Sequence, residues 1–106
     1  MTYVFDIDGT ICSLTDGKYA LAEPYKDRIK SINQLYDKGN KITLLTARGM
    51  GRFNNDQTKA QELFYDFTVK QLNRWGVKYH ELFLGKPSGD LYIDDKGMKD
   101  VEFFGN

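Results

Sequence analysis

Four short apolar runs govern what this chain can fold into, because each breaks into reactive polar groups at its carboxyl end. Met1 to Phe5 leads into Asp6-Ile7-Asp8-Gly9-Thr10, and Ile42-Thr43-Leu44-Leu45 into Thr46-Ala47-Arg48-Gly49. Leu82-Phe83-Leu84 leads into Gly85-Lys86-Pro87, and Leu91-Tyr92-Ile93 into Asp94-Asp95. Runs this short and apolar are the pattern of buried strands, and the first three are separated by stretches with helical character. The alternation predicts an α/β fold with a mostly parallel sheet, in which ligands bind at the carboxyl ends of the strands.

The first of these ends carries two carboxylates, Asp6 and Asp8, two positions apart. Like charges this close raise each other's pKa unless positive charge sits between them, and a divalent cation is the usual remedy. A strand running into a solvated Asp-Gly turn is the plainer reading of the same residues. The three later strand ends shift the balance toward a site.

Ile11 to Glu23 has no sustained pattern and contains the turn pair Asp16-Gly17, so it reads as a hairpin-like flap at about 11–23. Cys12 lies in it, with no histidine nearby to activate it, and reads as a small, partly buried thiol. Pro24 opens a helix whose stripe is Ile29, Ile32, Leu35 and Tyr36, closed by Gly39. A second helix, about Thr58 to Trp75, carries Leu63, Phe64, Phe67, Val69, Leu72 and Trp75, more apolar surface than one face needs. Deep packing on the sheet or a subunit interface would each use it. His80, the one histidine, precedes the third strand, Glu81 to Leu84, at the end away from the carboxylates, and reads as a surface or hydrogen-bonded structural residue. Val101 to Phe104 is apolar enough to add a short edge strand or to pack against a helix.

Asp-x-Asp-Gly-Thr at Asp6 to Thr10, Thr-Ala-Arg at Thr46 to Arg48, Gly-Lys-Pro at Gly85 to Pro87 and Asp94-Asp95 stand in the order of the four signatures of the haloacid dehalogenase-like phosphohydrolases, and the chain resembles that superfamily. More narrowly it is similar to small capless phosphatases associated with capsular polysaccharide biosynthesis. The resemblance implies a three-layer α/β/α sandwich with a mostly parallel, Rossmann-like sheet and no cap domain, one phosphatase domain over 1–106, and a flap that shields the site. It implies Asp6 as nucleophile, Asp8 as acid and base, and Thr46 and Lys86 as holders of the phosphoryl group. Mg²⁺ is the implied cofactor, held by Asp6, the backbone carbonyl of Asp8 and Asp94, with Asp95 a ligand through water or a partner of Lys86. Gly9, Thr10, Ala47, Arg48 and Arg52 are the remaining candidate substrate contacts, the two arginines as clamps for a second anionic group. Arg52 reads equally well as a solvated loop charge.

The expected activity is therefore a Mg²⁺-dependent phosphomonoesterase, with an aspartyl-phosphate intermediate, acting on a small phosphorylated metabolite such as a sugar phosphate of surface polysaccharide synthesis. A nucleotide or polynucleotide-end phosphatase is the alternative enzyme, and a non-enzymatic metal- or phosphate-binding module is the alternative of another class. At 106 residues there is room for one domain. Without a cap, either an exposed substrate or a homo-oligomer whose neighbouring subunit acts as a lid would complete the site. Fifteen basic residues balance fifteen acidic ones, which argues against long nucleic acid as a partner. No apolar stretch approaches the ~20 residues of a membrane span and no leader is recognisable, so the expected place is the cytoplasm, in keeping with one cysteine.

Overall fold

The computed structural model describes residues 1–105. Three parallel strands, β1 (Thr2–Phe5), β2 (Lys41–Thr46) and β3 (Glu81–Leu84), lie in the order β1-β2-β3. Val4 pairs with Thr43 across the first ladder, and Thr43 with Glu81 across the second. Because the strands run the same way, all three deliver the residues that follow them to one edge. β2 is the middle strand and its interior residues are the most completely buried. The side chains of Ile42 and Leu44 are fully enclosed with Ile32, Leu72 and Leu84, each worth about 1.5–3 kcal/mol of burial.

The crossovers are helices α1 (Lys26–Asp37), which packs on β2, and α2 (Gln57–Arg74), which packs on β3. Pro24 lies before α1, in an isolated bridge to Cys12, and Tyr25 takes the N-cap position. The α2 N-terminus is held by Asp56, whose carboxylate accepts the Lys59 N–H at 3.2 Å. His80 accepts the Ile42 N–H on Nδ1 at 3.0 Å and stacks on Tyr36. It is thus a structural residue at the entry to β3.

Two expectations need correction. Leu91-Tyr92-Ile93 forms no strand and is exposed, Ile93 to 90%. Three apolar residues without a hydrogen-bonding neighbour cannot hold extended pairing, so the run stays in an irregular stretch from Gly85 to Lys99. The tail is also not a strand. It is a third short helix, α3 (Asp100–Phe104), ended by Gly105 at φ 78°. Phe104 stacks on Phe5 of β1, Phe103 meets Tyr3 and Phe5 edge-on, and Asp100 pairs with Arg28 of α1 at 2.7 Å. The side of β1 away from β2 pairs with no strand among the described residues, and Val4 is 60% exposed.

The flap is hairpin-like at its base. An antiparallel Cys12–Pro24 bridge joins its two ends, with the Ser13 N–H donating to the Glu23 carbonyl at 2.9 Å and the Tyr25 N–H to the Ile11 carbonyl at 2.8 Å. Asp16 and Gly17 turn it at φ 55° and 86°. A 3-10 turn at Tyr19–Leu21 lies at its far side. Among the described residues no helix is long and apolar enough to cross a membrane.

Candidate active site

Asp6 immediately follows β1, and Lys86 lies two residues beyond β3. Their side chains meet at the shared edge, with Lys86 Nζ 3.4 Å from Asp6 Oδ1. The second oxygen of Asp6 accepts a long hydrogen bond from the Thr10 hydroxyl at 3.4 Å. Burial raises the Asp6 pKa above its ordinary value, and the positive charge of Lys86 acts against that shift. Lys86 is placed by the backbone: the N–H groups of Gly85 and Lys86 both donate to the Thr46 carbonyl at 3.2 Å. Its ammonium also lies 4.3 Å from the centre of the Tyr92 ring, a cation–π contact.

Asp8 has a different environment. Arg48 Nε donates to Asp8 Oδ2 at 2.9 Å and Arg48 Nη2 to Oδ1 at 3.1 Å. Arg48 Nη1 donates to the Thr68 hydroxyl at 3.2 Å, and the Tyr19 ring lies 4.8 Å under the guanidinium. The Arg48 side chain has no solvent exposure. A guanidinium buried this deeply must spend its donors inside the protein, so Arg48 does not clamp a substrate anion as expected. It fixes Asp8.

Thr46 also departs from its expected role. It is 1% exposed, and its hydroxyl accepts the Arg48 N–H at 3.1 Å. In this arrangement it shapes the turn that carries Ala47 and Arg48. Gly9 turns the first loop at φ 86°, and a Cβ there would come within 3.2 Å of Leu14. Arg52 is exposed on the rim of a cavity that Ala47 also lines.

Asp94 and Asp95 follow the run that failed to become a strand, and both are exposed. Asp94 accepts the Lys96 N–H at 3.1 Å, a local turn contact that holds its pKa below the ordinary value. Among the described residues no three of His, Cys, Asp and Glu gather so as to hold a metal ion. The expected set of Asp6, the Asp8 backbone carbonyl, Asp94 and Asp95 is therefore not assembled, because Asp94 and Asp95 lie exposed on the irregular stretch after β3. The donors as they stand do not fit a magnesium ion.

Cys12 is buried, with its thiol beside Ile7, Asp8 and Arg48. Burial, chiefly, and the Asp8 charge push it up to about 12, which removes it as a nucleophile at neutral pH. Tyr19 reads in the sequence only as a flank of the Asp16-Gly17 turn. Its hydroxyl accepts the Gly49 N–H at 3.0 Å, its carbonyl accepts Gln71 Nε2 at 2.8 Å, and its ring meets Phe64 edge-on at 4.9 Å. One aromatic residue in a patternless loop carries no periodic signal that would have exposed this role.

No protein-family model matches the chain, and no curated protein matches it. The fold is similar to that of a target protein from Vibrio cholerae, solved by crystallography, with a TM-score of 0.89 and 26% identity over 99% of this chain and 88% of that one.

Proposed function

We propose that the chain is a phosphomonoesterase of the haloacid dehalogenase-like type, with a three-layer α/β/α fold, working at the edge where β1 and β3 end. The observation that carries the reading is the Asp6–Lys86 pair at 3.4 Å: a carboxylate directly after one parallel strand, facing an ammonium supplied from another. In this reading Asp6 attacks phosphorus, since a carboxylate needs no base to act as nucleophile. The bond from phosphorus to the leaving oxygen breaks, and the Lys86 ammonium offsets the charge on the phosphoryl oxygens. Asp8 protonates the leaving alkoxide, then takes a proton from the water that cleaves the aspartyl phosphate. Thr46 acts by setting the turn before Arg48, and Arg48 by aiming Asp8.

Magnesium belongs to this reading through the resemblance alone, and no step above is drawn through it. The substrate is a small phosphorylated metabolite.

One observation favours a second reading, a phosphate-binding module without turnover. Both side-chain oxygens of Asp8 are engaged as acceptors of Arg48 donors, whereas leaving-group protonation needs one of them turned to the substrate. Release of p-nitrophenol from p-nitrophenyl phosphate, with magnesium and with EDTA, separates the two. Turnover abolished by Asp6→Asn in folded protein supports the enzyme. Phosphate binding without turnover in either condition supports the module.

A further inference from the structure

We propose that the cavity beside this edge is a subsite for a second anionic group on the phosphorylated substrate, with Arg52 as its principal ligand and Lys18 as its second positive member. The inference rests on the phosphatase reading of the same edge and narrows its substrate class. The cavity measures about 560 Å³, within the span of small-molecule sites. Lys18 and Tyr19 come to it from the flap, Ala47 and Arg52 from the loop after β2, Phe64 from α2, and Ser88 from the stretch after β3.

Ala47 stands between Thr46 and Arg48, and Ser88 two residues after Lys86, so the cavity lies beside the reacting edge, with neither Asp6 nor Lys86 in its lining. A leaving group attached to a phosphate at Asp6 and Lys86 would extend into it. Its lining charges are Lys18 and Arg52 against Asp16, a net positive balance that suits an anion. Arg48 is spent on Asp8 and Thr68, which leaves Arg52 as the guanidinium exposed to this space.

Arg52 is also oriented. Its guanidinium lies 5.8 Å from the centre of the Phe64 ring, and Phe64 meets Tyr19 edge-on. That cation–π contact holds the side chain at the cavity wall, where its fork can offer two parallel donors to one phosphate or carboxylate. The two rings give an apolar wall for the carbon skeleton between the anions. The expected substrate is a phosphomonoester bearing a second phosphate or a carboxylate a few bonds away.

The test compares kcat/KM for glucose 1,6-bisphosphate with glucose 1-phosphate, and for 6-phosphogluconate with glucose 6-phosphate. A preference for the doubly anionic member of either pair is expected, and the pair that shows it identifies the second anion as phosphate or carboxylate. Arg52→Ala should cut that preference by about tenfold, and Arg52→Lys should restore part of it. No preference in either pair, or a preference that Arg52→Ala leaves intact, overturns the subsite. If none of the four compounds is hydrolysed, turnover of p-nitrophenyl phosphate still decides the phosphatase reading, and calorimetric titration with the same four compounds decides the subsite. Tighter binding of a doubly anionic compound that Arg52→Ala weakens sustains it, and equal affinity within both pairs overturns it.

Discussion

Asp8 and Arg48, 40 positions apart, are joined by two hydrogen bonds of 2.9 and 3.1 Å, with the arginine side chain wholly enclosed. Among the described residues that carboxylate is the anion paired with the guanidinium, so removing it strands a buried charge. Asp8→Ala should cost about 3 kcal/mol of stability, read as a lower urea midpoint with unchanged slope. Arg48→Lys should recover little of an Arg48→Ala loss, because an ammonium cannot repeat the two-pronged geometry. A variant at Asp8 as stable as the parent would show that the pair is not formed.

The Arg28–Asp100 pair gives a separate, pH-dependent signature. The hydrogen bond from Arg28 holds the Asp100 carboxyl below its ordinary value of 3.8. Its folded-state pKa is depressed, so its stabilisation is present above the ordinary value and is lost as pH falls through the folded one. Asp100 is 33% exposed in its side chain, and screening keeps the effect to roughly 0.5–1 kcal/mol. Asp100→Asn should flatten that part of the acid limb in a series of urea titrations from about pH 5 down to pH 2. An unchanged acid limb would contradict the assignment.

Gly49→Ala should destabilise the loop after β2. The residue sits at φ +78°, and a Cβ would lie 2.7 Å from Phe64 Cδ2 and 3.1 Å from Ala60 Cβ. Strain in the left-handed region and overpacking together predict roughly 2–4 kcal/mol. Gly17→Ala has a similar φ but open space around it, and should cost only the backbone part, about 1–2 kcal/mol. Thermal unfolding of the two variants side by side measures the difference.

Cys12 should resist thiol reagents in the native protein. It is fully buried and its thiol is pushed up to about 12, so thiolate at neutral pH is scarce. Iodoacetamide followed by mass spectrometry should find it unmodified until denaturant is added. Fast native labelling would mean that the flap opens readily.

Three strands and both long helices were legible in the sequence because each repeats a pattern over enough residues to leave one interpretation. Ile29 and Ile32 fall on a single helical stripe, and Ile42 to Leu45 is apolar but for Thr43, as suits a middle strand. Leu91 to Ile93 is as short and apolar as Leu82 to Leu84, yet has no pairing neighbour among the described residues, and composition does not say whether a neighbour exists. The short helix α3 was hidden because Phe103 and Phe104 would suit a strand equally well. What selects the helix is Gly105 as a left-handed stop together with the aromatic cluster on β1.

The edge was legible as far as strand ends reach. Asp6 and Lys86 meet because each lies within two residues of a parallel strand. Arg48 read as an anion clamp because a solvated arginine and an enclosed one look the same in sequence. Its pairing with Asp8 depends on where the flap, the loop after β2 and α2 come to rest, and no local rule carries that. Asp94 and Asp95 were assigned to the edge through a strand that did not form.

The Thr46 carbonyl, by receiving two neighbouring amides beyond β3, gives position 86 an address written in main-chain atoms alone. Whatever side chain is installed there would project from the same origin, opposite Asp6. Chemistry at this corner could therefore be exchanged by a single codon while the framework beneath stays as it is.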